Sequence, residues 1–138
     1  MATMTQEQVH TFLDEPHVGH LVTLRPAGSP HVAPIWYEYR DGRFLIWTSR
    51  ETRKVKNILG DGRAALSIAT DSEPYKYVTV EGTVSVSETD VEATGISIAS
   101  RYQGRERGTA FIAEHFKEGV SVVLSLVPDN LVAWTDEA

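Results

Sequence analysis

Between Tyr75 and Ser87 the sequence YKYVTVEGTVSVS alternates apolar and polar residues almost without interruption. That period of two is the mark of a half-buried strand, and Gly82 within it predicts a bend. Shorter stretches of the same kind lie at residues 19–25 (GHLVTLR), 30–39 (PHVAPIWYEY), 44–49 (FLIWTS) and 63–69 (RAALSIA). Two more strands are predicted at 121–128 and 130–137. Ala27-Gly28 and Asp41-Gly42 supply tight turns between the first three, since glycine accepts positive φ at little cost. Pro34 lacks an N–H donor, so its strand is expected at an edge, at a bulge, or open to a ligand on one side.

The pattern changes period in four places. Thr5 and Gln8 fit a capping box, Val9, Phe12 and Leu13 follow at helical spacing, and Pro16 ends the run. Residues 49–60 carry an apolar stripe of Val55, Ile58 and Leu59, with Ser49 or Thr52 as N-cap and Gly60 as a stop. Residues 89–103 and 108–117 also read as helices. Many strands joined mostly by hairpins, with few helices, predict one domain over residues 1–138. Its class is mainly β, a six- to seven-stranded antiparallel barrel with flanking helices.

Composition narrows the function. A chain of 138 residues suffices for one core. No cysteine is present, which excludes disulfides, thiolate metal sites and thiol nucleophiles. The apolar runs are too short to span a membrane, and the N-terminus lacks the basic start and apolar stretch of a signal peptide. A cytoplasmic protein is expected. The formal net charge of -6 argues against a nucleic-acid partner, which would call for a basic face.

Familiar catalytic patterns are missing. Gly60 to Ala65 spells G-x-G-x-x-A, but a helix precedes it and a strand follows, the reverse of a dinucleotide fingerprint. The five histidines show no metal-ligand spacing, so no metal is expected. No G-x-S-x-G elbow occurs, and no side chain stands out as a catalytic acid or base. Two features remain. Trp36, Trp47 and Trp134 lie on predicted strands, either as core or as a wall for a flat conjugated ligand. Arg50, Arg53, Lys54 and Lys56 crowd into residues 48–57 (TSRETRKVKN), straight after FLIW. They form either a solvated helix face or an anion site. The anion site is favoured by hydroxyls and free N–H groups gathered at a helix start, where basic side chains alone would oppose the helix dipole.

The order of these pieces resembles the split β-barrel superfamily of pyridoxamine-phosphate-oxidase-like proteins: turn, strand with internal proline, D-G turn, strand ending in aromatic-Thr, basic pair, helix, V-E-G strand. Within it, the chain is similar to the flavin/deazaflavin oxidoreductases that use coenzyme F420. The resemblance implies a phosphate held by Thr48, Ser49, Arg53 and Lys54. It implies a ring along Ala33, Pro34 and Ile35 with Trp47 beside it, and a weaker role for Asn57. It implies a homodimer with cofactor sites at the interface, where Tyr75–Val80 and Trp134 line the partner's pocket. FMN-binding pyridoxamine phosphate oxidases usually carry an arginine where Ala33 stands, which favours F420 over FMN. The expected activity is an F420-dependent reductase, moving a hydride between reduced deazaflavin and a small quinone, enone or tetrapyrrole-like substrate. The alternatives are an FMN flavoprotein of the same fold or a non-catalytic carrier. Substrate choice is expected to involve a mobile segment at residues 102–108.

Overall fold

The computed structural model describes residues 2–137. Its elements run β1 (Ala2–Thr3), α1 (Gln6–Asp14), β2 (Gly19–Leu24), β3 (Pro30–Ile35), β4 (Glu38–Arg40) and β5 (Arg43–Ser49). Then follow α2 (Arg53–Gly60), β6 (Arg63–Ala69), β7 (Lys76–Ser87), α3 (Val91–Gln103), α4 (Arg105–His115) and β8 (Ser121–Thr135). The strands form one antiparallel sheet in the order β3-β2-β6-β7-β8-β5-β4, with β1 pairing β8 to one side. The sheet curls around a core built from Leu21, Phe44, Ile46, Leu66, Ile68, Val78, Val80, Leu124 and Leu126. This is the split barrel with flanking helices.

The capping box of α1 forms as predicted, with the Thr5 hydroxyl accepting from the Gln8 N–H and the Gln8 side chain accepting from the Thr5 N–H. The bend in β7 is a register shift at Glu81/Gly82. A Cβ at Gly82 would lie 2.1 Å from the Val127 carbonyl oxygen, so glycine is required by contact with β8. The two strands expected after residue 120 are one continuous β8, with Pro128 opposite Gly82.

One predicted strand is broken. Residues 30–39 divide into β3 and β4, which lie at opposite ends of the strand order. The cause is at Tyr37, whose backbone bonds to α3 side chains. Its N–H donates to the Tyr102 hydroxyl at 3.0 Å, and its carbonyl accepts from Arg101 Nε at 3.0 Å. The segment from Ile35 to Glu38 thus crosses the split, and the barrel is open beside it.

The remaining helices sort the outer face of the sheet into two halves. β8 is buried on both faces from Ser121 to Leu126, because α3, itself packed against α4, covers the outer side of β5 and β8 there. On the other half, across β3, β2, β6, β7 and the end of β8, no helix among the described residues covers the outer face, and Val32, Tyr77 and Val132 are exposed there.

Candidate cofactor cleft

A cleft of about 680 Å³ opens at the split. That volume is in the range of sites for cofactors and drug-sized ligands. Pro34, Ile35 and Trp36 form one wall, Trp47, Thr48 and Ser49 another, and the α3–α4 pair forms a roof.

At one end the donors gather. The Thr48 side chain is buried apart from a 9% exposure, and among the described residues its hydroxyl has no protein partner. Ser49 Oγ accepts from the Glu51 N–H at 3.2 Å and keeps its own hydrogen to donate. α2 then begins after Thr52, the N-cap position, whose side chain does not cap it, because the hydroxyl donates instead to the Ser49 carbonyl at 2.8 Å. The first intrahelical donor is Lys56, to the Thr52 carbonyl. The N–H groups of Arg53, Lys54 and Val55 therefore have no carbonyl within the helix. Lys54 lines the cleft half-buried, with no carboxylate partner among the described residues. Burial pushes its ammonium pKa down. An unpaired, desolvated cation beside hydroxyls and a helix N-terminus is the donor set that a phosphate requires.

The other end is flat and apolar. Trp36 stacks on Tyr102 with centroids 4.7 Å apart and planes within 6°. Phe111 lies 5.9 Å from Trp36, and His115 lies 4.4 Å from Phe111. Across the cleft, the Trp47 indole packs against α3 at Gly95. A Cβ there would sit 2.6 Å from Trp47 Nε1. The Trp47 N–H is buried without a partner among the described residues. Gly95→Ala is therefore expected to force the indole toward the cleft, at about 1–3 kcal/mol for overpacking. Thermal denaturation checks it, and Trp47→Phe in the same chain should recover part of the loss.

The expected site residues do not all meet here. Pro34, Ile35, Trp47, Thr48, Ser49 and Lys54 line the cleft together. Ala33 packs against the core instead, opposite Leu21 on β2. Arg53 is exposed on the first turn of α2 and does not line the cleft. Asn57 is 2% exposed and faces β2, where its Nδ2 donates to Thr23 Oγ1 at 3.0 Å. Arg50 is engaged in an ion pair with Glu88. The segment at 102–108 is a tight joint: Tyr102 is bonded to Tyr37 and His17, and a Cβ at Gly108 would lie 2.6 Å from the Ser100 nitrogen.

What the pattern reading missed was the roof: Gly95, Ile98, Ala99, Phe111, Ile112 and His115. The available signal was Gly95 inside one helical run and Gly108 at the start of the other, which the structure places inside α4. Such glycines mark close approach.

A family model described as pyridoxamine 5'-phosphate oxidase matches residues 5–131. The chain belongs to the pyridoxamine 5'-phosphate oxidase family. Solved structures of like fold include a conserved hypothetical protein of Mycobacterium tuberculosis, with TM-score 0.82 and 22% identity over 96% of this chain and 85% of that one. An F420 reductase matches with TM-score 0.72 and 23% identity, over 88% of this chain and 94% of that one. An FAD-binding protein of Mesorhizobium loti matches with TM-score 0.67 and 16% identity, over 96% and 93%. No curated protein matches significantly by sequence. These identities establish the shared fold and leave this family member's activity to its own cleft. Phosphate donors at one end and flat aromatic walls at the other fit a phosphate-bearing ring coenzyme. Among the described residues no cluster of three or more His, Asp or Glu is placed to hold a metal ion, and no helix is long and apolar enough to cross a membrane.

Proposed function

We propose that this family member is an F420-dependent oxidoreductase, acting as a reductase on a small flat substrate such as a quinone, enone or tetrapyrrole-like compound. The observation that carries the reading is the unpaired Lys54 ammonium at the hydroxyl-rich end of a cleft whose other end is walled by Trp36, Trp47 and Phe111. The fold shared with an F420 reductase supports it.

When bound, F420 would supply a hydride-carrying ring. The chain's part is placement. Thr48, Ser49, Lys54 and the first turn of α2 bind the phosphate, with Arg53 adding long-range attraction from outside the cleft. Pro34, Ile35 and Trp47 hold the ring, and the roof excludes water from its exposed face. Ala33 and Asn57, being turned to the core and to β2, support these walls from behind.

FMN is the second reading, favoured by the like fold of an FAD-binding protein. Against it, the strand at Ala33 brings no cation to the phosphate. Dissociation constants for F420 and FMN, measured side by side by fluorescence titration, decide between them. F420 is expected to bind more tightly. Submicromolar FMN binding without F420 binding would overturn the F420 reading. Binding of reduced F420 without turnover of any quinone, enone or tetrapyrrole would make the protein a carrier.

The reading includes a homodimer. The bare half of the sheet presents Val32, 60% exposed, Val132, 47% exposed, and Tyr77, 37% exposed. Val32, Val22 and Ala65 are cross-strand neighbours in one row that ends in Glu81, and Val132 pairs with Thr79 in the next. Exposed apolar patches of this kind usually mark an interface. Pro34 belongs to both the bare face and the cleft, so a second copy seated here would complete the cofactor site, bringing its own stacked Tyr77 and Trp134 to the same face. Val132→Glu is expected to yield a monomer by light scattering and to weaken coenzyme binding at the same time. A dimer that persists in this variant would rule out the bare face as its interface.

A further inference from the structure

We propose that His115 is the proton donor of the cleft. The inference rests on the F420 reading above and adds the acid that the reaction requires.

His115 occupies the last turn of α4 and lines the cleft at the end of the aromatic wall that runs through Trp36 and Phe111. Its Nδ1 lies 2.9 Å from the Phe111 carbonyl oxygen. A carbonyl can only accept, so Nδ1 carries a hydrogen in every protonation state. That bond fixes the tautomer and leaves Nε2 as the atom that gains and loses the proton. The ring is held from one side by Phe111, so the imidazole keeps its place beside the flat wall on which a conjugated substrate would lie.

The other charged groups lining the cleft are Glu51, Lys54 and Glu114, with Lys117 just beyond the helix. Lys54 is assigned to the anion. Imidazole is the commonest general acid–base side chain, so it can both give a proton and recover it from water. The balance is simple. A quinone or enone gains a hydride from the reduced coenzyme and a proton from His115 Nε2. The neutral imidazole is then reprotonated by solvent through the exposed side of the residue, and the coenzyme, its hydride given, releases its second hydrogen to solvent as a proton and is left oxidised.

The test combines spectroscopy with single-turnover kinetics on the F420-loaded protein. The imidazole Cε1–H NMR signal of His115, assigned by its loss in His115→Gln, is followed as menadione is added to the oxidised-F420 complex. No turnover is possible there, and the signal is expected to move. Oxidation of the reduced coenzyme by menadione is then measured from pH 5 to pH 9. The wild type should slow as the imidazole loses its proton. His115→Gln should be slower by about 10²-fold at low pH and lose that pH dependence, while F420 affinity stays unchanged. An unchanged pH profile in His115→Gln, or an unmoved signal with menadione bound, would overturn the assignment and leave the F420 reading intact. Failure of the wild type to bind F420 would remove both.

Discussion

Lys54→Met is expected to weaken F420 binding about ten- to a hundredfold while leaving the melting temperature of the unliganded protein unchanged or raised. The first half follows from the loss of a charge-assisted bond to phosphate, worth about 1.5–3 kcal/mol, where 1.4 kcal/mol is tenfold. The second half follows from linkage. Burial pushes the Lys54 pKa down in the fold. The folded protein therefore binds fewer protons at this site than the unfolded chain does between the lowered pKa and the ordinary lysine value. Stability from this group is present above the ordinary value and is lost as pH falls through the lowered one. At neutral pH the charged ammonium opposes folding of the free protein, and a bound anion offsets that. Coenzyme binding should accordingly be coupled to proton uptake at alkaline pH and weaken as pH rises through the lowered pKa. Calorimetry in buffers of different ionisation heat measures the uptake, which Lys54→Met should abolish. Arg53→Ala should have a smaller effect that fades with added salt, because Arg53 is exposed and acts at a distance. If Lys54→Met loses stability and keeps full affinity, the side chain serves as packing only.

The contrast between these two neighbours shows how far a sequence can be read. TSRETRKVKN announces a cluster of positive charge, and the hydroxyls before it announce an anion site. Nothing in the letters says which of Arg53 and Lys54 turns inward. That is decided by the helix starting at Arg53, which puts Lys54 on the cleft side and Arg53 on the outer side. The same holds for the strands. Alternation fixed β6 and nearly all of β7, because one face of each is buried in a single uninterrupted sheet. It failed at Trp36 and Tyr37, where the alternation continues but the backbone partners change from strand to side chain. Long-range bonds of this kind leave no periodic trace. The roof of the cleft was hidden for a related reason: α3 and α4 owe their function to what they cover.

The roof is fastened at Arg101, and Arg101→Ala is the substitution expected to disturb the molecule most. Its guanidinium donates to four carbonyls: Tyr37 through Nε at 3.0 Å, Asp14 through Nη1 at 3.1 Å, and Leu13 and Glu15 through Nη2 at 3.2 Å each. Three of these carbonyls end α1, where a cation also favours the negative pole of the helix. The fourth is the residue that breaks the strand across the split. The guanidinium also lies 5.5 Å from the Tyr37 ring centroid. One side chain thus joins α3, α1 and the β3–β4 crossing. Its removal is expected to cost about 3 kcal/mol, the loss of charge-assisted bonds less what water restores. That corresponds to a fall in melting temperature of about 10 °C. Coenzyme affinity should fall with it, since Tyr102 follows Arg101 directly and its ring supports Trp36 at the cleft. Arg101→Lys discriminates between charge and shape. A lysine keeps the charge near α1 but cannot reach four carbonyls with a planar fork, so it should recover only a small part of the loss. Full recovery by lysine would mean that the helix-end charge, and not the bridging of three elements, is what holds the roof.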